Sequence, residues 1–457
     1  MTPPPGLETT RLRDISGWGR FPRRMGRVAA PRDAEAVRRI AAQGIGTGGG
    51  LIARGSGRAY GDAAMGTALT LDMTRMNRLL AFDPATGQLQ AEAGVTLDDI
   101  ITAFLPRGWF PMVTPGTKFV TLGGAIAADV HGKNHHCEGS FAACVDWIDI
   151  LRPDGRTVRA SRSADAELFE WTLGGMGLTG VILRAAIRLR PVQSAWIRQD
   201  TVVAPNLAAA MSAFDAAGEA TYSVAWIDCL ASGDALGRSL LMLGEHATAD
   251  DLPDDRRDQP FATPAKGRKS VPFDFPALAL NRFTVKAFNA LYWRKGARAP
   301  GRTLIDWDSY FYPLDAILGW NRIYGRRGFV QFQCALPLAT AHDGLTALLR
   351  ETARTGQGSF LAVLKRFGAQ DSRFSFPMDG YTLALDFPAT PTALALLDRL
   401  DAITLAHGGR FYLAKDARLS ADMLHRADPR AAGFQAMRRA DGLDRAFASS
   451  QSSRLLL

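Results

Sequence analysis

Two glycine-rich segments near the N-terminus carry residues suited to holding an anion with backbone. The first runs Ala53, Arg54, Gly55, Ser56, Gly57, Arg58, Ala59, Tyr60, Gly61, Asp62. The second begins at Thr114, Pro115, Gly116 and Thr117. It continues through Thr121, Leu122, Gly123, Gly124 and Ala125, then Ala128, and reaches His131, Gly132, Lys133, Asn134, His135 and His136. Without a Cβ, a glycine N–H can lie flat against a phosphate and its φ can turn positive. Successive N–H groups in such turns form an anion-binding nest. Two such loops, joined by a strand-rich segment, point to a large anionic cofactor approached from two sides.

A second set of residues can recognise and deprotonate a polar ligand. In Gln331-Phe332-Gln333 the strand period of two places both amides on one face, which suits a hydroxyl-rich ligand or merely an exposed strand face. Only 8 of the 54 basic residues are lysine. An arginine-biased genome accounts for the surface, so the lysines at 133, 365 and 415 stand out as point charges or titratable amines that arginine cannot supply. Lys365 in Val363-Leu364-Lys365-Arg366-Phe367 either snorkels to solvent or lines a cavity. His131, His135, His136 and Cys137 allow a metal reading through His131 and His135 at helical spacing. Gly132 and the polar pair Lys133-Asn134 disfavour that helix, and cofactor or substrate contact is the stronger reading for the histidines.

The elements that position these groups follow from the patterning. A helix opens at Pro31-Arg32-Asp33-Ala34, and Leu51-Ile52-Ala53 is a buried strand entering the first loop. Leu69 to Met73 and Leu89 to Ala93 alternate as strands, and Leu97 to Leu105 is an amphipathic helix. Asp154-Gly155 joins a hairpin between 145–151 and 157–160. Asp165 is expected to cap a helix, followed by a third glycine cluster from Gly174 to Gly180 and a strand from Val181 to Arg190. Tyr60 stands where a Gly-x-Gly-x-x-Gly fingerprint needs its third glycine, so a Rossmann site is rejected. Beyond Pro191 the glycine nests end and a second domain begins. Within it, 249–276 is rich in Pro, Asp, Arg and Lys and reads as a long mobile loop. The helix that follows, 280–295, places Leu280, Phe283, Ala287, Phe288 and Leu291 on one face among Arg282, Lys286, Arg294 and Lys295. It is either an ordinary core-facing helix or a lid or membrane-surface helix.

The chain has 457 residues, net charge +9 and four scattered cysteines. The length implies two or three domains, and the thiols imply a reduced protein. The absence of Lys/Arg runs excludes a nucleic-acid tail. With neither a signal-type apolar core nor the roughly 20-residue apolar run of a membrane helix, the expected location is cytoplasmic. Its basic character allows peripheral contact with the inner membrane.

Together these segments resemble the vanillyl-alcohol-oxidase superfamily of FAD enzymes, and within it the decaprenylphosphoryl-ribose 2-oxidase family. The resemblance spans nearly the whole chain: Ser16-Gly17-Trp18-Gly19-Arg20, residues 53–62, 115–136, 166–180, Asn321-Arg322 with Tyr324-Gly325, 328–333 and 412–416. It implies an α+β fold in which a two-part PCMH-type FAD-binding domain carries an inserted substrate domain on an antiparallel sheet. Residues 1–193 and 411–457 would form the FAD domain, and 194–410 the substrate domain. The FAD would be non-covalent, because relatives with covalent flavin carry a histidine in the first loop, at a place that falls near Arg58 here. Residues 53–60, Pro115, Gly116, Thr117, Thr121, Gly123, Gly124, Ala125, Ala128, His131, Gly132, Asn134, Gly177, Gly180, Val181 and Tyr412 would contact the cofactor. Tyr60, Gln331, Gln333, Lys365, Asn321 and Ala384 would bind substrate, and Lys415, His131 and Lys133 would be catalytic. Ala384 replaces the family's cysteine, and Thr382 its amide. The implied activity is oxidation of the 2-hydroxyl of a polyprenyl-phosphoryl ribose, half of an epimerisation completed by an NAD(P)H-dependent short-chain dehydrogenase. A soluble alditol or aldonolactone oxidase, or a flavin-binding subunit without turnover, are the rivals.

Overall fold

A computed structural model describes residues 10–46, 50–264, 266–267, 269–276, 281–359 and 361–457. Three sheets organise them. The first has four strands in the order Arg11–Ser16, Arg23–Ala29, Leu69–Asp72, Leu51–Arg54, its last two pairings parallel. The helix Ala34–Gly46 packs Val37, Ile40 and Ala41 against it. The buried strand Leu51–Arg54 delivers the chain directly into the first glycine loop.

The second sheet is antiparallel and centres on Val181–Pro191, flanked by Gln88–Glu92 and Val145–Leu151. Leu97–Phe104 is a helix closed at its N-terminus by a capping box between Thr96 and Asp99, a pairing that satisfies two otherwise orphaned N–H groups. Asp165 departs from expectation. It sits at φ 49° and its side chain caps nothing; its backbone carbonyl accepts from Phe169 instead.

The third sheet has eight strands, all antiparallel, in the order Gly301–Asp306, Trp196–Ala204, Ser239–His246, Tyr222–Ile227, Ala362–Phe367, Gly380–Pro388, Phe329–Pro337, Arg410–Phe411. Its two faces differ completely. Leu383, Leu385, Phe332 and Cys334 pack with Leu345, Leu348 and Leu349 of helix Leu338–Thr355 and with Leu396 and Leu400 of helix Pro391–Ala406. The alternate residues Gln331, Gln333, Lys365, Thr382, Ala384 and Asp386 take the opposite face, as strand alternation requires, and are neighbours by register.

The C-terminal segment packs on the first sheet. Leu443, Ala446 and Phe447 share a core with Val37, Leu51 and Leu71. Arg454 pairs with both Asp62 and Asp416, tying the first loop to the strand-end turn that carries Lys415.

In the described part of the segment 249–276, Arg198 pairs with Asp251, Lys266 with Asp306, and Lys269–Ser270 pairs in parallel with Ile317–Leu318. One expectation in the central region changes. The helix runs Arg282–Ala297, and Leu280 lies outside the described residues. Its inward stripe is Val285 and Asn289, the latter donating to Asp228 at 2.9 Å. Phe283 and Leu291 are 81% and 66% exposed, so the apolar face looks outward and is not a core face.

Candidate active site

The two glycine segments face each other. A Cβ at Gly55 would run into Oγ1 of Thr121, and Thr121 itself caps the helix Leu122–Ala127 by accepting from Gly124 N–H. Gly55 is therefore required by the close approach of the segments. A Cβ at Gly116 would meet nothing within 4 Å, so that stretch of backbone borders open space. Arg54 reaches back to the Ser16 carbonyl at 2.7 Å. Arg58 lies over the Trp18 ring at 4.1 Å with its Nε unpartnered among the described residues, and burial lowers its pKa.

His131 is 6% exposed among Phe367, Phe376 and Tyr412, with ring centroids at 4.8, 5.7 and 5.0 Å. The Gln333 amide donates to its Nε2 at 3.1 Å and also reaches Thr382 Oγ1 at 3.2 Å. An accepting Nε2 places the ring proton on Nδ1, which has no partner among the described residues. Burial, then the charge of Lys365, holds the imidazole well below its ordinary pKa of 6.5, so it is neutral. Tyr412 stacks on Phe376 at 4.8 Å and donates to the Ala128 carbonyl at 3.0 Å, joining the end of the third sheet to the second glycine segment.

Three lysines converge here. Each keeps part of its surface accessible although protein surrounds it, as side chains lining an interior groove do. Lys133 donates to the Tyr310 carbonyl and lies 4.0 Å from the centre of that ring. Burial, then the neighbouring Lys365, pulls Lys133 down to about 7. Lys365 is likewise pulled down to about 7, by burial and then by Lys415. Lys415 sits 3.7 Å over the Tyr60 ring. Burial lowers its pKa, and Asp386 opposes that shift. Asp386, 1% exposed, accepts from the Gln331 amide; burial raises its pKa, and Gln331 and Lys415 resist. The phenol of Tyr60 is held well above 10 by burial.

The remaining sequence-derived candidates take the following positions. Asn321 donates to the Trp18 carbonyl at 3.0 Å, a clamp on the segment beneath the first loop. Asn134 is 1% exposed and holds the Met112 carbonyl at 2.8 Å. The glycine at 180, with φ 154°, lets the chain pass against Ile150 and Leu151, while the Val181 side chain belongs to the core. Gly177 has φ 76° and is buried beside Ile52. His135 turns to Gln370 and His136 to the Ala220 carbonyl, both at 2.8 Å, away from His131. Asp386 was missed in the sequence. Its signal was an acid inside the apolar run Leu383-Ala384-Leu385-Asp386-Phe387, two residues along the same face from Ala384.

Residues 26–161 match the FAD binding domain family model. The chain is 36% identical to decaprenylphosphoryl-β-D-ribose oxidase of Mycolicibacterium smegmatis over 98% of both chains. It belongs to that family. An uncharacterised Streptomyces coelicolor protein is 34% identical over 79% of this chain and all of its own. The L-gulonolactone oxidase of Mus musculus is 29% identical over 30% of this chain and 31% of its own. This family member is an FAD-dependent oxidoreductase with a PCMH-type fold. The groove fits that cofactor. Partly accessible glycine backbone borders it on two sides, the Arg58 Nε and His131 Nδ1 have no acceptor among the described residues, and Lys133, Lys365, Lys415 and Arg58 outnumber the neighbouring carboxylates of Asp386 and Asp315. Such a cationic interior calls for an anionic occupant.

Proposed function

We propose that this family member oxidises the 2-hydroxyl of a polyprenyl-phosphoryl pentose to the ketone. Bound FAD supplies the redox chemistry by accepting a hydride from the carbinol carbon. Residues 53–60, the second glycine segment and Tyr412 hold that cofactor without a covalent bond; residues 1–193 with 411–457 form its domain, and 194–410 the substrate domain. Lys415 Nζ takes the hydroxyl proton, its basicity set by burial against the pull of Asp386. Gln331 and Gln333 orient the sugar, with Ala384 leaving room beside them. Lys133 and Lys365 bind further hydroxyls, and the neutral His131 and buried Tyr60 complete the polar wall.

The observation that carries this reading is the convergence of Lys133 from the second glycine segment and Lys415 from the C-terminal turn on the strand face that holds Lys365, Gln331, Gln333 and Asp386. A non-catalytic flavin carrier needs no such convergence. Anaerobic stopped-flow tests it: short-chain prenylphosphoryl ribose should bleach the flavin rapidly, and free ribose, alditols and aldonolactones should not. Bleaching by a free polyol or lactone would instead make the protein a soluble sugar oxidase.

Among the described residues no helix is long and apolar enough to cross a membrane. The outward Phe283, Phe288 and Leu291, set among Arg282, Lys286, Arg294 and Lys295, support docking of helix Arg282–Ala297 on an anionic membrane surface. The ketone then passes to a separate NAD(P)H-dependent short-chain reductase, which completes the epimerisation.

A further inference from the structure

A cleft of about 550 Å³ borders the polar cluster, within the ~300–1,000 Å³ range of ligand pockets. Residues 274–276, the start of helix Arg282–Ala297, residues 324–327 and the end of strand Gly380–Pro388 line it. Tyr324 and Asp386 belong both to this lining and to the cluster, since Asp386 holds Gln331 and Tyr324 stacks on Phe329, which in turn meets Tyr60. The cleft therefore adjoins the lysine-lined groove at these two shared residues.

The lining has two chemistries. Arg282, Arg326 and Arg327 are exposed there, and among the described residues none of the three forms an ion pair. The lining carboxylates are matched: Arg20 donates to both oxygens of Asp274, and Asp386 is held by Gln331. Asn281 caps the helix at the cleft, so the positive end of that helix's dipole adds to the arginines. The remaining wall is apolar, from Phe275, Pro276, Val285, Ile323, Phe387 and Pro388. Phe273, 62% exposed, packs on Phe275 at 5.9 Å, and the exposed Phe283 follows Arg282, so the apolar wall continues to the surface.

We infer that this cleft binds the phosphodiester of the substrate and the first units of its apolar chain, with Arg282, Arg326 and Arg327 on the phosphate. Guanidinium is suited to this because it meets phosphate oxygens in a bidentate fork. A free sugar or lactone offers neither anion nor chain and has no use for such a cleft. The inference rests on the polyprenyl-phosphoryl reading proposed above.

The test titrates FAD-loaded protein calorimetrically with farnesyl monophosphate, inorganic phosphate and farnesol. Farnesyl monophosphate should bind well, and the other two weakly. The double variant R326A/R327A should weaken it about tenfold or more, as loss of charged hydrogen bonds predicts. R326K/R327K should fall between, and R302A, at an exposed arginine paired with Asp200, should match the unaltered protein. Retained flavin absorbance shows that each variant is folded. Equal binding of phosphate alone would reduce the cleft to a free-anion site and overturn the lipid part. Absence of farnesyl monophosphate binding, or unchanged binding in R326A/R327A, overturns the whole. The two readings fail separately. Prenylphosphoryl ribose oxidised by R326A/R327A with unchanged KM sinks the cleft and spares the function, whereas flavin bleached only by free polyols sinks the function.

Discussion

The two sides of the groove are built by different means. The glycine side uses backbone, in segments each contiguous in sequence, and its requirement is the absence of side chains at a few positions. The strand side uses side chains from three strands and a C-terminal turn, brought together by an antiparallel register that pairs Gln331 with Asp386, Gln333 with Ala384 and Lys365 with Thr382. Under the proposed assignment, cofactor recognition is local in the chain and substrate recognition is not. One side can be damaged by adding a methyl group, the other only by removing a functional group.

The sharpest way to separate the sides is Lys415→Ala. Loss of the proton acceptor should slow flavin reduction by roughly 10²–10⁴ while FAD stays bound, measured by anaerobic stopped-flow and flavin absorbance. An unchanged rate would remove Lys415 from the chemistry. The converse test is Gly55→Ala, whose new Cβ strikes Thr121. Overpacking costs about 1–3 kcal/mol, so it should purify with reduced flavin content that excess FAD partly restores. Full flavin content in this variant would dissolve the distinction between the two sides.

Asp386→Asn sharpens the comparison within the strand side. Asp386 raises the pKa of Lys415, so its removal favours the neutral amine at lower pH. The rising limb of the reduction rate against pH should move to more acidic values. A shift in the opposite direction would mean that Asp386, not Lys415, carries the titration. A smaller effect is expected of Gln333→Leu, which strips His131 Nε2 of its donor. At about 1 kcal/mol for a hydrogen bond, the loss should be roughly fivefold in kcat/KM. The smallest effect on catalysis belongs to Phe288→Ser with Leu291→Ser, both outside the cleft lining. Detergent-solubilised turnover should be unaltered, and sedimentation with anionic liposomes should fall.

Legibility in the sequence followed the same division. The glycine segments, the strand that leads into the first and the hairpin at Asp154-Gly155 could be read from spacing, because each depends on local backbone conformation. Lys365 and Lys415 were visible only as rare lysines in apolar or motif-like runs. Asp386 was passed over because a single acid in a strand acquires meaning only from what lies opposite it. The helix Arg282–Ala297 misled for a related reason. Its apolar face implies burial only if a neighbour covers it, and here the helix docks through Val285 and Asn289 instead.

By itself, then, the sequence determined the presence of a flavin fold. It specified where backbone would be stripped of side chains and which strands would alternate, because turn chemistry and strand period act over a few residues. Tertiary structure alone decided that residues 133, 331, 365, 386 and 415 share one groove, which amines are driven toward neutrality, and that Arg326 and Arg327 stand beside an apolar cleft. Those properties come from burial and from charge–charge distance between segments hundreds of residues apart, and no local pattern encodes either.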